Sequence, residues 1–125
     1  MSVSMKRQIL IIDDDLIYQQ ILRKLLYNRY DVVSIADSME ALKYLDELST
    51  PDLVIADLNL PGIDSMEFIS EVKTKLENDT TRILVISGTD DDKLKNELLR
   101  IGIAEVLTKP IHRKQLVEEV DRLIR

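Results

Sequence analysis

Leu53-Val54-Ile55-Ala56-Asp57 is an apolar run of strand length that stops on a carboxylate. Three other runs stop on reactive polar residues. Gln8-Ile9-Leu10-Ile11-Ile12 runs into Asp13-Asp14, Ile83-Leu84-Val85-Ile86 stops at Ser87, and Ala104-Glu105-Val106-Leu107-Thr108 stops at Lys109-Pro110. A fifth run, Asp31 to Ala36, ends one residue short of Asp37 and supplies nothing reactive of its own. If the runs are parallel strands of one sheet, a single edge gathers three carboxylates, a hydroxyl and an ammonium. Open α/β sheets bind their ligands at that edge.

Helical patterns separate the runs, and this alternation is the signature of βαβ units with helices on both faces of a parallel sheet. The first helix carries Ile17, Ile21, Leu22, Leu25 and Leu26 at three- and four-residue spacing, a stripe expected to face the sheet. Asp37-Ser38 is the expected N-cap of a helix from Met39 to Leu48, and Pro61-Gly62 breaks the chain before a helix from Ser65 to about Glu77. Asn78-Asp79-Thr80-Thr81 reads as the next turn. A fourth helix with Leu94, Leu98, Leu99 and Ile101 ends at Gly102, and a fifth spans Arg113 to Ile124, burying Leu116, Val117, Val120, Leu123 and Ile124. Right-handed crossovers leave few topologies for five such units. The expectation is an α/β flavodoxin-like doubly wound (βα)5 fold, with strand order 2-1-3-4-5 and the second strand at an edge. In that order Asp13, Asp14 and Asp57 converge at the switch point, and Ser87 and Lys109 stand on the two strands beyond.

The 125 residues suit one domain, residues 1–125, with 45% hydrophobic and 32% charged residues. No stretch approaches the roughly eighteen apolar residues of a membrane span, and no secretory leader is visible. The absence of cysteine excludes disulfides and thiolate chemistry and fits a cytoplasmic protein. A net charge of −6 disfavours nucleic acid as a direct partner and suits a cation.

Three carboxylates brought together repel by about 4 kcal/mol per close pair at an effective dielectric near 20, so the site calls for a compensating cation. Carboxylates, a main-chain carbonyl from Asn59 and waters form the donor set that Mg²⁺ prefers, and Mn²⁺ would serve in its place. A divalent metal and Lys109 balance the three negative charges. That set, with the Ser87 hydroxyl, suffices to position and neutralise a phosphoryl group, with Asp57 as the carboxylate nucleophile. Asp15 reads as a helix N-cap and His112 as a surface residue.

Ile11-Ile12-Asp13-Asp14-Asp15, Asp52-Leu53-Val54-Ile55-Ala56-Asp57-Leu58-Asn59-Leu60-Pro61-Gly62-Ile63-Asp64, Val85-Ile86-Ser87-Gly88 and Leu107-Thr108-Lys109-Pro110 together resemble the receiver domains of bacterial two-component response regulators, over essentially the whole chain. The resemblance implies phosphorylation of Asp57 by a sensor histidine kinase or histidine phosphotransfer protein. Asp13, Asp14, Asp57 and Asn59 would hold Mg²⁺, and Ser87 and Lys109 would bind phosphoryl oxygens. It also implies a cis peptide before Pro110, and a downstream protein or an output domain outside this chain as the receiver of the signal; the hydropathy already speaks against a membrane partner. A dedicated enzyme is not expected: aspartate-nucleophile phosphohydrolases place an acid two residues after the nucleophile, where this chain has Asn59. A pseudo-receiver acting only as a docking module is the alternative.

This chain departs from the family pattern at Val106, where relatives commonly carry an aromatic that reorients on phosphorylation, and at Ser65, where they often have glycine. The face of the fourth helix, fifth strand and fifth helix, where many relatives dimerise, offers a mixed-charge set that includes Lys95, Glu105, Arg113, Glu118 and Arg122. That set fits a solvated surface or a salt-bridged homodimer.

Overall fold

The central run, Leu53–Asp57, is buried at all five positions, because as β3 it has strands on both sides and helices on both faces. The computed structural model describes residues 6–47, 50–59, 64–76 and 80–124. The elements are β1 (Gln8–Ile12), α1 (Leu16–Leu26), β2 (Asp31–Ile35), α2 (Ser38–Glu47), β3, α3 (Ser65–Lys75), β4 (Arg82–Ser87), α4 (Asp92–Arg100), β5 (Glu105–Thr108) and α5 (Arg113–Ile124). All strand pairs are parallel, and the order is β2-β1-β3-β4-β5. The doubly wound sheet expected from the sequence is therefore present, with β2 at an edge.

Side chains alternate across the sheet, as a period of two requires. Leu10, Ile12, Val54, Ala56, Ile83, Val85 and Val106 pack with Ala41 and Leu42 of α2, Phe68, Ile69 and Val72 of α3, and Leu98 of α4. On the other face, Ile9, Ile11, Leu53, Ile55, Leu84, Ile86 and Leu107 meet Leu22 and Leu26 of α1 and Leu116, Val120 and Leu123 of α5. Both faces are covered, so the strands read as continuous apolar runs.

Register carries the chemistry to one level. Ile12 pairs with Ala56, which sets Asp13 beside Asp57. Asp57 pairs with Ile86, and Ser87 with Thr108, so Ser87 and Lys109 follow one step further along the same edge. The Lys109 N–H donates to the Ser87 carbonyl at 2.8 Å, continuing the ladder past the end of β5. The Lys109-Pro110 peptide bond is cis, as the resemblance implied.

Carboxylates stand at the starts of α1 to α4. Asp15, Asp64 and Asp91 are N-caps of α1, α3 and α4, each accepting main-chain N–H groups of the first turn. Asp37 Oδ1 accepts the Met39 N–H at 2.9 Å just ahead of α2. Gly102 closes α4 at φ +101°, a conformation that a side chain resists, and a Cβ there would stand 2.7 Å from Lys73 Cε.

Two expectations about helix faces are corrected. On α1, Ile17 and Ile21 are 75% and 48% exposed, while Gln19, Leu22 and Leu26 are the buried residues. Gln19, Leu22 and Leu26 share the stripe packed against the sheet, and Ile17 and Ile21 fall on the opposite side of the helix. On α5, Leu116, Val120 and Leu123 are buried, but Val117 and Ile124 are only half-buried, because they lie at the margin of the stripe that meets the sheet. The Pro61-Gly62 break, the Asn78-Asp79 part of the predicted turn, and the Leu48 and Glu77 helix ends lie outside the described residues.

Candidate functional site at the carboxyl edge of the sheet

Asp13 begins where β1 stops, and its carboxyl group is almost wholly enclosed, at 1% exposure. Its Oδ1 accepts the Asp15 N–H at 2.9 Å, and its main-chain carbonyl accepts Gln19 Nε2 at 2.5 Å. The turn into α1 thus holds the side chain, and the helix holds the main chain. Asp14 is exposed. Asp57 is buried at 4% exposure, with Oδ1 accepting the Asn59 N–H at 3.0 Å and Oδ2 facing Lys109 Nζ at 3.4 Å.

One oxygen from each of Asp13, Asp14 and Asp57 falls within a mutual 4.8 Å. Burial, with Asp57 as a neighbouring charge, pushes the Asp13 carboxyl up to about 6, against the lowering pull of the Asp15 N–H and of Lys109. The shift is chiefly the cost of burying a charge, to which the neighbouring Asp57 carboxylate adds. Lys109 is the one cation in ion-pair contact with the cluster among the described residues. A hard divalent ion fits this donor set.

Ser87 ends β4, buried at 2% exposure. Its Oγ accepts the Thr89 N–H at 3.1 Å and lies 3.1 Å from the Thr89 carbonyl and 3.3 Å from Thr89 Oγ1, so the hydroxyl is engaged by its own loop. Gly88 between them allows a close approach: a Cβ there would meet Asn59 Nδ2 at 3.1 Å. Val106 is buried beside this loop and lines a hollow of about 10 Å³ with Ser87, Thr89, Leu94 and Thr108, room for a single water. Its branched side chain has little freedom to reorient there.

The residues singled out by strand-end position, Asp13, Asp14, Asp57, Ser87 and Lys109, come to this edge, and so does Asn59, named as a carbonyl donor. Two neighbours were not legible from strand ends. Gln19 anchors Asp13, and the Tyr18 ring lies 4.4 Å from Lys109 Nζ, in cation–π contact. Both sit in the first turns of α1, and the signal that could have found them is the Asp15 cap, which starts the helix close to the site. Asp15 itself is spent on capping, with Oδ1 accepting the Ile17 and Tyr18 N–H groups at 2.9 and 3.2 Å. His112 is exposed, and its carbonyl accepts the Leu116 N–H at the start of α5. On the face of α4, β5 and α5, Arg122 pairs within the chain with Glu119 at 2.5 Å and Glu105 at 3.5 Å.

A doubly wound parallel sheet with an acidic cluster at its switch point and a lysine reaching it from the β5 end defines a class of α/β proteins that bind ligands at the strand ends. Within that class the family is specific: residues 9–121 match the response regulator receiver domain, and the chain belongs to this family of two-component signalling proteins. The Regulator of RpoS of Escherichia coli K12 is 33% identical over 110 residues, which cover 84% of this chain and 31% of that protein. The hybrid signal transduction histidine kinase D of Dictyostelium discoideum is 26% identical over 116 residues, covering 93% of this chain and 7% of that protein. The chain thus spans less than a third of these relatives. Among solved structures, the chemotaxis response regulator CheY4 of Vibrio cholerae superposes with a TM-score of 0.83 at 26% identity, covering 94% of this chain and 98% of that one. No helix among the described residues is long and apolar enough to cross a membrane.

Proposed function

We propose that residues 1–125 act as one receiver domain in which Asp57 takes a phosphoryl group from the phosphohistidine of a sensor histidine kinase or a histidine phosphotransfer protein, in the cytoplasm. The P–N bond breaks with its electron pair returning to the imidazole, and an Asp57 carboxylate oxygen forms the new O–P bond. Hydrolysis later cleaves that bond and releases phosphate. The signal passes as a changed affinity for a downstream protein or for an output domain. The protein thereby catalyses its own phosphorylation and dephosphorylation.

The observation that carries this reading is the cluster of Asp13, Asp14 and Asp57 with Lys109 3.4 Å from Asp57 Oδ2. Asp13, Asp14 and Asp57, with the main-chain carbonyl of Asn59, would hold Mg²⁺ or Mn²⁺. When bound, the ion supplies charge neutralisation for the phosphoryl oxygens. The chain's own residues do the rest. Lys109, held only loosely by Asp57 at that distance, can turn to a phosphoryl oxygen as it arrives. Ser87 can do the same by exchanging its bonds to Thr89 for one to phosphate, which makes its loop, residues 88–92, the segment that reports the change.

Intact-mass measurement with acetyl phosphate tests this. Wild type should gain one phosphoryl mass in a metal-dependent manner and Asp57→Asn should not; a gain retained in the variant removes Asp57 from the role. Beryllofluoride with Mg²⁺ should shift amides around Asp57 and Ser87. Unmoved amides would favour a docking module that needs no phosphorylation.

A further inference from the structure

Lys109 leaves β5 just before Pro110, with a side chain 25% exposed. A lysine ammonium is a point charge on a flexible stem, and a carboxylate 3.4 Å away is beyond the 2.7–2.9 Å of a tight charged hydrogen bond. Asp57 alone therefore does not pin it. On its other side the ammonium meets the Tyr18 ring, 4.4 Å from the centroid, so the cation stands between a carboxylate and an aromatic face.

Tyr18 is itself held in place. Its N–H is bound by the cap Asp15, and its side chain borders a cleft with Ile21, Leu22, Pro110 and Ile111, the last two following Lys109 directly. Its hydroxyl is buried with no hydrogen-bonding partner among the described residues; the Ile111 main chain acts on it without reaching hydrogen-bond geometry. An unpartnered buried hydroxyl is unfavourable, so the ring is the part of this residue with work at the site.

We infer that Tyr18 is a positioning residue, whose ring holds the Lys109 ammonium against Asp57 so that phosphoryl transfer begins with the cation in place. This role rests on the reading of Asp57 given above. A ring face attracts a cation with little directional demand, so Lys109 can pass from the carboxylate to a phosphoryl oxygen while keeping the ring beneath it. The rotamer freedom that a lone lysine would lose at that step is already restricted.

The test joins a spectroscopic and a kinetic readout. In NMR spectra of the metal-free protein, the ring current of Tyr18 should move the Lys109 ε-methylene resonance to low frequency, with Lys109→Arg assigning the peak. Tyr18→Phe should keep that displacement and Tyr18→Leu should lose it. With acetyl phosphate at saturating Mg²⁺, Tyr18→Leu should lower the phosphorylation rate constant about threefold to tenfold, while Tyr18→Phe stays within about twofold of wild type and neither changes the Mg²⁺ half-saturation point. The role is overturned by an undisplaced Lys109 resonance in wild type, by a Tyr18→Leu rate equal to wild type, or by a Tyr18→Phe protein as slow as Tyr18→Leu. The wild-type spectrum needs no variant to fold. A wild type that takes no phosphoryl group overturns the reading of Asp57 and this role with it, whereas a phosphorylated wild type with undisplaced Lys109 overturns only the role of Tyr18.

Discussion

Lys109 Nζ stands 3.4 Å from Asp57 Oδ2, and it makes the only ion pair to any of the three clustered carboxylates among the described residues. One cation thus serves a cluster that needs more positive charge than the protein provides. Most of what the site can do follows from that imbalance.

Removing that cation tests its part in transfer. Lys109→Gln should lower the rate of phosphorylation from acetyl phosphate by about a hundredfold, the usual scale for losing one preorganised group at a developing charge. Stopped-flow or mass-resolved time courses at saturating Mg²⁺ measure it. A rate within a factor of about two of wild type would assign charge neutralisation to other groups.

The raised Asp13 carboxyl makes the stability of the metal-free protein depend on pH. Its folded value of about 6 lies above the unfolded 3.8, so between the two the folded state binds more protons. Stability from this group alone therefore falls as pH rises from 4 to 6. The penalty is fully present above 6 and relieved as pH drops toward 3.8, up to about 3 kcal/mol for two units. Urea titrations at pH 5 and pH 7.5 on wild type and Asp13→Asn, without metal, should differ in slope with pH, the variant being flatter. Equal slopes would separate Asp13 from the effect.

Mg²⁺ should raise the melting temperature at millimolar concentration, since an ion bound only by the folded state stabilises it by mass action. Asp13→Asn should stabilise the metal-free protein at pH 7.5 by on the order of 1–2 kcal/mol, because the amide ends the burial of a charge and still offers an oxygen to the Asp15 N–H. Asp14→Asn should gain less, its carboxylate being exposed. Scanning calorimetry with and without Mg²⁺ distinguishes these outcomes, and a variant still stabilised by metal to the wild-type extent would count against the site.

Two glycines should respond differently to alanine. Gly102→Ala forces a side chain into φ +101° and should cost about 1–2 kcal/mol, measured by chemical denaturation. Gly88→Ala meets only the end of the Asn59 side chain at 3.1 Å and should cost well under about 1 kcal/mol while displacing Asn59 at the mouth of the site. A larger loss at Gly88 than at Gly102 would contradict this reading of the two loops.

Strand content, strand order and the convergence of Asp13, Asp14, Asp57, Ser87 and Lys109 were legible in the sequence. Buried parallel strands read as unbroken apolar runs, and chain order with right-handed crossovers fixes which run ends meet. The Asp15 cap was legible for a different reason, being a local event within three residues. Helix rotation was not local. Five apolar residues of α1 span more than one stripe, and two of them, Ile17 and Ile21, face out because the stripe of Gln19, Leu22 and Leu26 is the one packed inward.

The sequence by itself therefore determined the sheet and the residues delivered to its edge, since strand periodicity and connection rules act along the chain. Tertiary structure alone decided what stands around them: the burial that raises Asp13, the close approach of the Asn59 side chain to Gly88, and the Tyr18 ring against Lys109. These depend on packing between elements distant in sequence, where the competition for space beside one strand end selects which face of a helix turns inward.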